Sequence, residues 1–176
     1  NNPEIESKID EVIKLYKTKE DKRIELGKVS KELSDILKQN NIDVENYKHD
    51  IDTKEIRHLL KGHGENGKKL TKNSIPITDN DIRQIPYIID NYDYIELGHK
   101  NIKGLDNIRY VKVLQDGTTY YVEEIRTGKK TLSAITMWKE KSRSTAHQKM
   151  SRITANPTST IKIIQNPNKN VNKNYE

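Results

Sequence analysis

Ile108-Arg109-Tyr110-Val111-Lys112-Val113-Leu114-Gln115-Asp116-Gly117-Thr118-Thr119-Tyr120-Tyr121-Val122-Glu123-Glu124-Ile125-Arg126 is the stretch that decides the fold. Two runs rich in β-branched and aromatic residues flank Asp116-Gly117, a pair suited to the tight turn of a β-hairpin. A two-residue turn pairs Gln115 with Thr118. It therefore sets Lys112 opposite Tyr121, Tyr110 opposite Glu123 and Arg109 opposite Glu124. A further turn at Thr127-Gly128-Lys129 leads into a third strand over about 130–138. With Gly128-Lys129 as that turn, Tyr121 faces Thr136 and Glu124 faces Ser133. One face of this sheet then carries Val111, Val113, Tyr120, Val122, Ile135 and Met137, a core. The other carries Lys112, Tyr121 and Thr136 in a row beside Tyr110 and Glu123, the floor of a polar site.

Upstream the apolar period is that of helices. Pro3 stands at a first helical position, and Ile5, Ile9, Val12, Ile13 and Tyr16 recur at helical spacing over about 3–17. Ser30 is placed to cap a second helix with Leu33, Ile36 and Leu37 inward. Asp52 and Glu55 form a capping pair for a third, which buries Ile56, Leu59 and Leu60 and stops at Gly62. His63 lies just past that stop, and 62–74 reads as an exposed loop. Thr78 caps a fourth helix with Ile82, Ile85, Ile88 and Ile89 inward, and Pro86 breaks or kinks it. From Tyr94 the period becomes two. Residues 142–153 read as a short basic helix, and the Asn- and Lys-rich end from Asn166 as disordered. The expected class is α+β, with N-terminal helices followed by a small twisted antiparallel sheet. The expected organisation is a helical region over 1–44, a main domain over 45–165 and a basic tail over 166–176.

Composition narrows the chemistry. The chain has 176 residues and no Cys or Phe, so the core is built from Ile, Leu, Val and Tyr, and neither disulfide nor thiolate metal site is available. No apolar run reaches the length of a membrane span, and the N-terminus has no basic-then-apolar leader, so a soluble chain without its own secretory signal is expected. The formal net charge of +6 is graded along the chain. It is −2 over 1–60, zero over 61–100, +2 over 101–130 and +6 over 131–176. Such a gradient suits a polyanion, most simply nucleic acid, or else is a solvated Lys-rich surface.

Among the titratable groups, His63 in a glycine-flanked position suits proton transfer near neutral pH. His58, five residues earlier, points roughly 140° away on an ideal helix. The two do not share a ligand, and no third partner suggests zinc. Glu123 and Glu124 point to opposite faces of their strand, so at most one belongs to a site and the other is an ion-pair partner, Glu124 with Arg109. Lys112 and Arg126 are candidate phosphate ligands. No Walker-type loop, GxGxxG or GxSxG is present.

Taken together, Ile56-Arg57-His58-Leu59-Leu60-Lys61-Gly62-His63-Gly64, Ile77-Thr78-Asp79-Asn80-Asp81-Ile82, Ile108-Arg109-Tyr110-Val111-Lys112, Tyr121-Val122-Glu123-Glu124-Ile125-Arg126 and Leu132-Ser133-Ala134-Ile135-Thr136-Met137-Trp138 resemble a known pattern. It is that of the phage- and toxin-associated nucleases of the barnase/EndoU/colicin/RelE-like group, over about 45–141. The resemblance implies helices followed by a small antiparallel sheet, and a ribonuclease working without metal or other cofactor. It also implies the C-terminal toxic part of a larger secreted or phage-encoded polypeptide, acting in the cytoplasm of a target bacterium and neutralised by an immunity protein. By position it implies His58 and His63 as the histidine motif, Lys112 and Glu123 as the strand pair, Arg126 as the phosphate ligand and Thr136 as the final polar residue. Lys61, Tyr110, Tyr121, Ser133 and Lys139 are the accompanying candidates for binding substrate.

The reaction expected from these groups is attack by a ribose 2′-hydroxyl on the adjacent phosphorus. His63 and Glu123 serve as acid and base in either order, and Lys112 and Arg126 stabilise charge. The expected partners are RNA, tRNA among the possibilities, and an acidic immunity protein covering Lys112, Arg126 and the stretch 139–152, with the enzyme itself a monomer. The rival expectation is a non-catalytic nucleic-acid-binding or virion-assembly module. An ADP-ribosyltransferase would want Glu-x-Glu, whereas Glu123 and Glu124 are adjacent.

Overall fold

The computed structural model describes residues 2–101, 103–141 and 160–169. Its elements in chain order are α1 (Pro3–Lys17), β1 (Arg23–Lys28), α2 (Lys31–Lys38), β2 (Lys48–Asp52), α3 (Thr53–His63), β3 (Ser74–Ile75), α4 (Asp79–Arg83), α5 (Ile85–Asp90), β4 (Tyr94–Lys100), β5 (Asp106–Val113), β6 (Thr119–Arg126), β7 (Thr131–Glu140) and β8 (Lys162–Gln165). The α+β class stands. The sheet, however, is larger than expected and mixed: seven strands run in the order β1-β2-β7-β6-β5-β4-β8, and an eighth, β3, pairs beside the end of β7. All pairs are antiparallel except β2 with β7.

The helices begin where side chains satisfy their free amides. Asn2 accepts from Glu4 and Ile5, Ser30 from Leu33, and Asp52 from Lys54. Thr78 and Asp81 close a reciprocal capping box on α4. Pro86 separates α4 from α5 by standing in the first turn of the latter, where its missing N–H costs nothing. Gly62 is not the stop of α3: it is buried within the helix, which runs through His63 and ends at Gly64.

One face of the sheet bears the main core. Ile108, Tyr110, Val122, Leu132, Ala134 and Met137 pack there with Ile9, Val12 and Ile13 of α1, Leu33 and Leu37 of α2, Ile56 and Leu59 of α3, and the isoleucines of α4 and α5. This single cluster runs through both the 1–44 stretch and the sheet, and 1–44 holds a strand, β1, between two helices. Tyr94, Val111 and Val113 form a second, small cluster on the other face. Among the described residues no helix is long and apolar enough to cross a membrane.

The central hairpin differs from expectation by one residue. Leu114 N–H donates to the Thr118 carbonyl at 2.8 Å and Gly117 N–H to the Leu114 carbonyl at 2.8 Å, so the loop has three residues, with Gly117 at φ +92°. A type I turn followed by a left-handed glycine accounts for the extra residue. Each partner moves by one: Lys112 faces Tyr120, Tyr110 faces Val122, and Arg109 faces Glu123. The second loop likewise has three residues, 128–130, rather than the expected two: Thr127 N–H donates to the Thr131 carbonyl at 2.9 Å, so Glu124 faces Ala134 instead of Ser133. A bulge between Glu123 and Glu124 then moves the remaining pairs once more, so that Glu123 faces Thr136 and Tyr121 faces Trp138. These shifts decide which side chains share the open face.

The chain after β7 returns as β8 against β4. Asn166, expected in a disordered tail, is instead buried. Its Nδ2 donates to the Tyr92 carbonyl at 2.8 Å and its backbone N–H to the Asp93 carbonyl at 2.9 Å. Lys169 Nζ reaches the Asn91 carbonyl at 2.7 Å and Asp93 Oδ1 at 3.0 Å. The basic helix expected over 142–153 and the rest of the tail lie outside the described residues.

Candidate active site

The register places Arg109 of β5, Glu123 of β6, Thr136 and Trp138 of β7 and Glu96 of β4 on the sheet face opposite the main core. Arg109 is their hub. Its Nε donates to Glu123 Oε2 at 2.7 Å, its Nη1 donates to Glu96 Oε1 at 3.1 Å, and its Cζ lies 4.9 Å from the Trp138 ring centroid. Two carboxylates therefore share one guanidinium, a use that suits the planar fork of Arg. Glu123 also accepts from Asn107 Nδ2 at 3.2 Å, and Glu96 Oε1 is hydrogen-bonded to His99 Nε2 at 2.8 Å.

An aromatic row adjoins these charges. Tyr121 stacks on Trp138 at 4.8 Å and 11°, and the His63 ring lies 5.7 Å from Trp138 at 24°. His63 arrives from the last position of α3, where its carbonyl accepts from Ile77 N–H at 2.8 Å. Burial lowers its pKa below the ordinary imidazole value, and Lys69 and, less strongly, the neighbouring His58 lower it further against the opposing pull of Glu123. Burial, then Glu140 and Glu96, raises the Tyr121 phenol, so it stays protonated near neutral pH. The face thus offers a carboxylate acceptor, an imidazole of lowered basicity, a fixed cation and a stacking surface. Among the described residues no three His, Asp or Glu side chains converge to hold a metal ion.

Of the candidate catalytic residues, His63, Glu123 and Thr136 meet here, and Tyr121 among the substrate-binding ones joins them. His58 is exposed on α3, close enough for its charge to act on His63. Lys112 is on the wrong face. The hairpin shift turns it toward Asp93, 3.7 Å away, and the Tyr87 ring at 6.0 Å. Burial, with Lys169 alongside, pulls its ammonium down to about 8 although Asp93 opposes this. Arg126 is exposed at the far end of β6, paired with Leu132 past the bulge, three residues from Glu123. At about 3.3 Å per residue that is roughly 10 Å along the strand.

Tyr110 is not a substrate ligand but a fully buried core residue, its hydroxyl donating to Glu124 Oε1 at 2.6 Å. Ser133 is buried and accepts from Arg23 Nη1 at 2.9 Å, beside Asp50. Lys139 is held by Asp81 at 2.9 Å and lies 5.4 Å from the Tyr120 ring centroid. Lys61 is exposed on α3. Glu124 pairs not with Arg109 but with buried His49, whose Nδ1 lies 2.7 Å from Oε2.

Arg109, Glu96, His99, Asn107 and Trp138 escaped the reading of the sequence as site residues. Moving the hairpin by one would have put Arg109 beside Glu123. A glycine in the middle of β4, Gly98, signals a bulge next to His99. No local pattern marks Glu96 or Asn107.

No curated protein and no solved structure matched the chain. A family model did, that of the phage-Barnase-EndoU-ColicinE5/D-RelE like nuclease3, over residues 27–147. The match takes in α2 to α5, β2 to β7, and with them every residue of the Arg109 cluster. It spans well over half of the chain, and the protein therefore belongs to this family of phage-associated nucleases.

Proposed function

We propose that this nuclease is a metal-independent endoribonuclease and the toxic part of a phage-encoded or delivered polypeptide. The observation that carries the reading is the Arg109 guanidinium held between Glu123 and Glu96, with His63 and Tyr121 stacked on Trp138 beside it. RNA supplies its own nucleophile, so a site made of one acceptor, one donor and one cation is sufficient. Glu123 takes the proton of the ribose 2′-hydroxyl as its oxygen bonds to phosphorus. His63 gives a proton to the departing 5′-oxygen as the P–O5′ bond breaks. The products are a 2′,3′-cyclic phosphate and a 5′-hydroxyl. An imidazole of lowered pKa releases its proton readily. Arg109 offsets the charge gathering on the phosphorane oxygens. Tyr121 and Trp138 offer a stacking surface for a base, the usual way that single-stranded RNA is held.

The toxin reading brings with it an inhibitor protein, acidic in keeping with the basic enzyme. It would have to cover the Arg109–Trp138–His63 face. Lys112 and Lys139, paired with Asp93 and Asp81 on the other side of the sheet, would be left outside it. The discriminating substrate is a single-stranded oligoribonucleotide against the same strand with 2′-deoxyribose at the cleaved nucleotide. The ribo form is expected to be cut and the deoxy form to survive at that position. Equal cutting of both would remove the 2′-hydroxyl, and with it this reading.

A further inference from the structure

β4 contains a device that the mechanism above leaves unused. Along a regular strand the side chains alternate, so with Glu96 on the open face and Leu97 in the core, His99 should turn to the core side. It does not. Leu97 pairs with Ile108 and Lys100 with Asp106, three residues of β4 against two of β5, which is the count of a β-bulge. Gly98 makes the bulge at φ +111°. A Cβ there would sit 3.2 Å from the Thr160 carbonyl oxygen of the adjoining chain, so both the backbone angle and the space call for glycine.

The result is that His99 swings back toward Glu96. Its Nε2–H donates to Glu96 Oε1 at 2.8 Å, the same oxygen that accepts Arg109 Nη1 at 3.1 Å. The oxygen is thus fixed from two sides, and Glu96, with only 15% of its side chain exposed, has little freedom to turn. Arg109 in turn is gripped from both ends, Nε by Glu123 and Nη1 by Glu96. Without His99, Glu96 can rotate about its strand position, and the guanidinium keeps only its Glu123 anchor.

We propose that His99 is a positioning residue: acting through Glu96, it holds the plane of the Arg109 guanidinium over Trp138 and against Glu123 for phosphate binding in the transition state. The inference rests on the ribonuclease reading for its kinetic consequence, and on the hydrogen-bond geometry alone for its structural one. Bulges beside active sites commonly re-aim one side chain, and this one re-aims an imidazole onto the group that clamps the catalytic cation.

The test uses His99→Ala and His99→Gln in the full chain, with two readouts. The first is solvent exchange of the Arg109 Nη1 protons, which Glu96 holds, in proton–nitrogen NMR spectra, which needs no substrate. Slow exchange is expected in the wild type and in His99→Gln, whose amide nitrogen can replace Nε2, and fast exchange in His99→Ala. The second is RNA cleavage. His99→Ala is expected to lose roughly ten- to a hundredfold in kcat with KM little changed, the size expected from misplacing a catalytic group by about 1 Å. His99→Gln should recover most of that loss and keep the wild-type pH profile. Unchanged exchange and kcat in His99→Ala would overturn the proposal, and so would a Gln variant as inactive as Ala, which would make His99 a proton-transfer group. If the wild type leaves RNA intact, the ribonuclease reading fails, and the exchange measurement still decides the positioning role.

Discussion

Replacing Arg109 probes the site at its hub. Arg109→Ala removes the cation that both Glu96 and Glu123 touch, and leaves those carboxylates, with 15% and 8% of their side chains exposed, without a shared counter-charge. A group that stabilises transition-state charge in a partly desolvated site contributes about 10² to 10³ in kcat, or about 2.7–4 kcal/mol. Arg109→Lys is the informative companion. The two contacts, 2.7 and 3.1 Å, use different nitrogens of the guanidinium, Nε and Nη1. An ammonium is a point charge on a flexible stem, so it restores the charge but not the rigid fork that fixes both carboxylates at once. Recovery of no more than about tenfold over the alanine variant is expected, because geometry as well as charge is lost. Initial rates on a fluorogenic oligoribonucleotide at saturating concentration measure this directly, with circular dichroism to show that both variants fold. A fully active lysine variant would refute the clamped-fork argument, and a fully active alanine variant would remove Arg109 from the chemistry.

With His63 as the general acid, kcat/KM should fall as pH rises through its pKa, which lies below the ordinary imidazole value of 6.5. Lys69→Gln removes a cation that lowers this pKa, so the falling limb should move to higher pH, and a limb that stays put would take the proton away from His63. In the core, burial alone would lower the His49 pKa, but Glu124, Asp90 and Asp50 more than offset this and raise it. Its pairing therefore adds stability that is complete below pH 6.5 and is lost as pH rises through the raised folded value. His49→Leu strands the buried Glu124 carboxylate and should cost about 3–5 kcal/mol in urea unfolding, most of which the double variant His49→Leu/Glu124→Leu should return; simple additivity of the two losses would contradict a buried pair. Truncation from Asn166 leaves the Tyr92 and Asp93 carbonyls without their partners and should cost about 1–3 kcal/mol per buried group. An unchanged unfolding midpoint would show that the return strand is not fastened there.

What was legible in the sequence was what local pattern encodes. The capping residues Ser30, Asp52 and Thr78 stand where helices begin, and Pro86 divides α4 from α5. The hairpin around Asp116-Gly117 and the strand into Trp138 are likewise there. Register was not legible, because Asp-Gly serves a two-residue turn and, with Gly117 left-handed, a three-residue loop equally well. That single residue turned Lys112 and Tyr110 away from the site and brought Arg109 in. The loop after Arg126 also took a third residue, and the bulge after Glu123 added a further shift that nothing local announces. Strand β2, Lys48-His49-Asp50-Ile51-Asp52, has no alternating apolar pattern because its polar residues are buried through tertiary pairing, His49 on Glu124 and Asp50 on Arg23. Its parallel partner β7 lies some eighty residues on, a separation that no window along the chain detects. Asn166 read as tail because its composition is polar, whereas its burial depends on two carbonyls at the start of β4.

Cleavage of RNA by the substrate's own 2′-hydroxyl, with Glu123, His63 and Arg109 as the acting groups, is tested most directly by the chemistry of the cut ends at early times, with the purified protein, single-stranded RNA and EDTA. Cleavage under chelation, 2′,3′-cyclic phosphate and 5′-hydroxyl ends, and loss of both products in Glu123→Gln are expected. Cleavage that appears only on adding Mg²⁺, or ends carrying a 3′-hydroxyl and a 5′-phosphate, would contradict this mechanism.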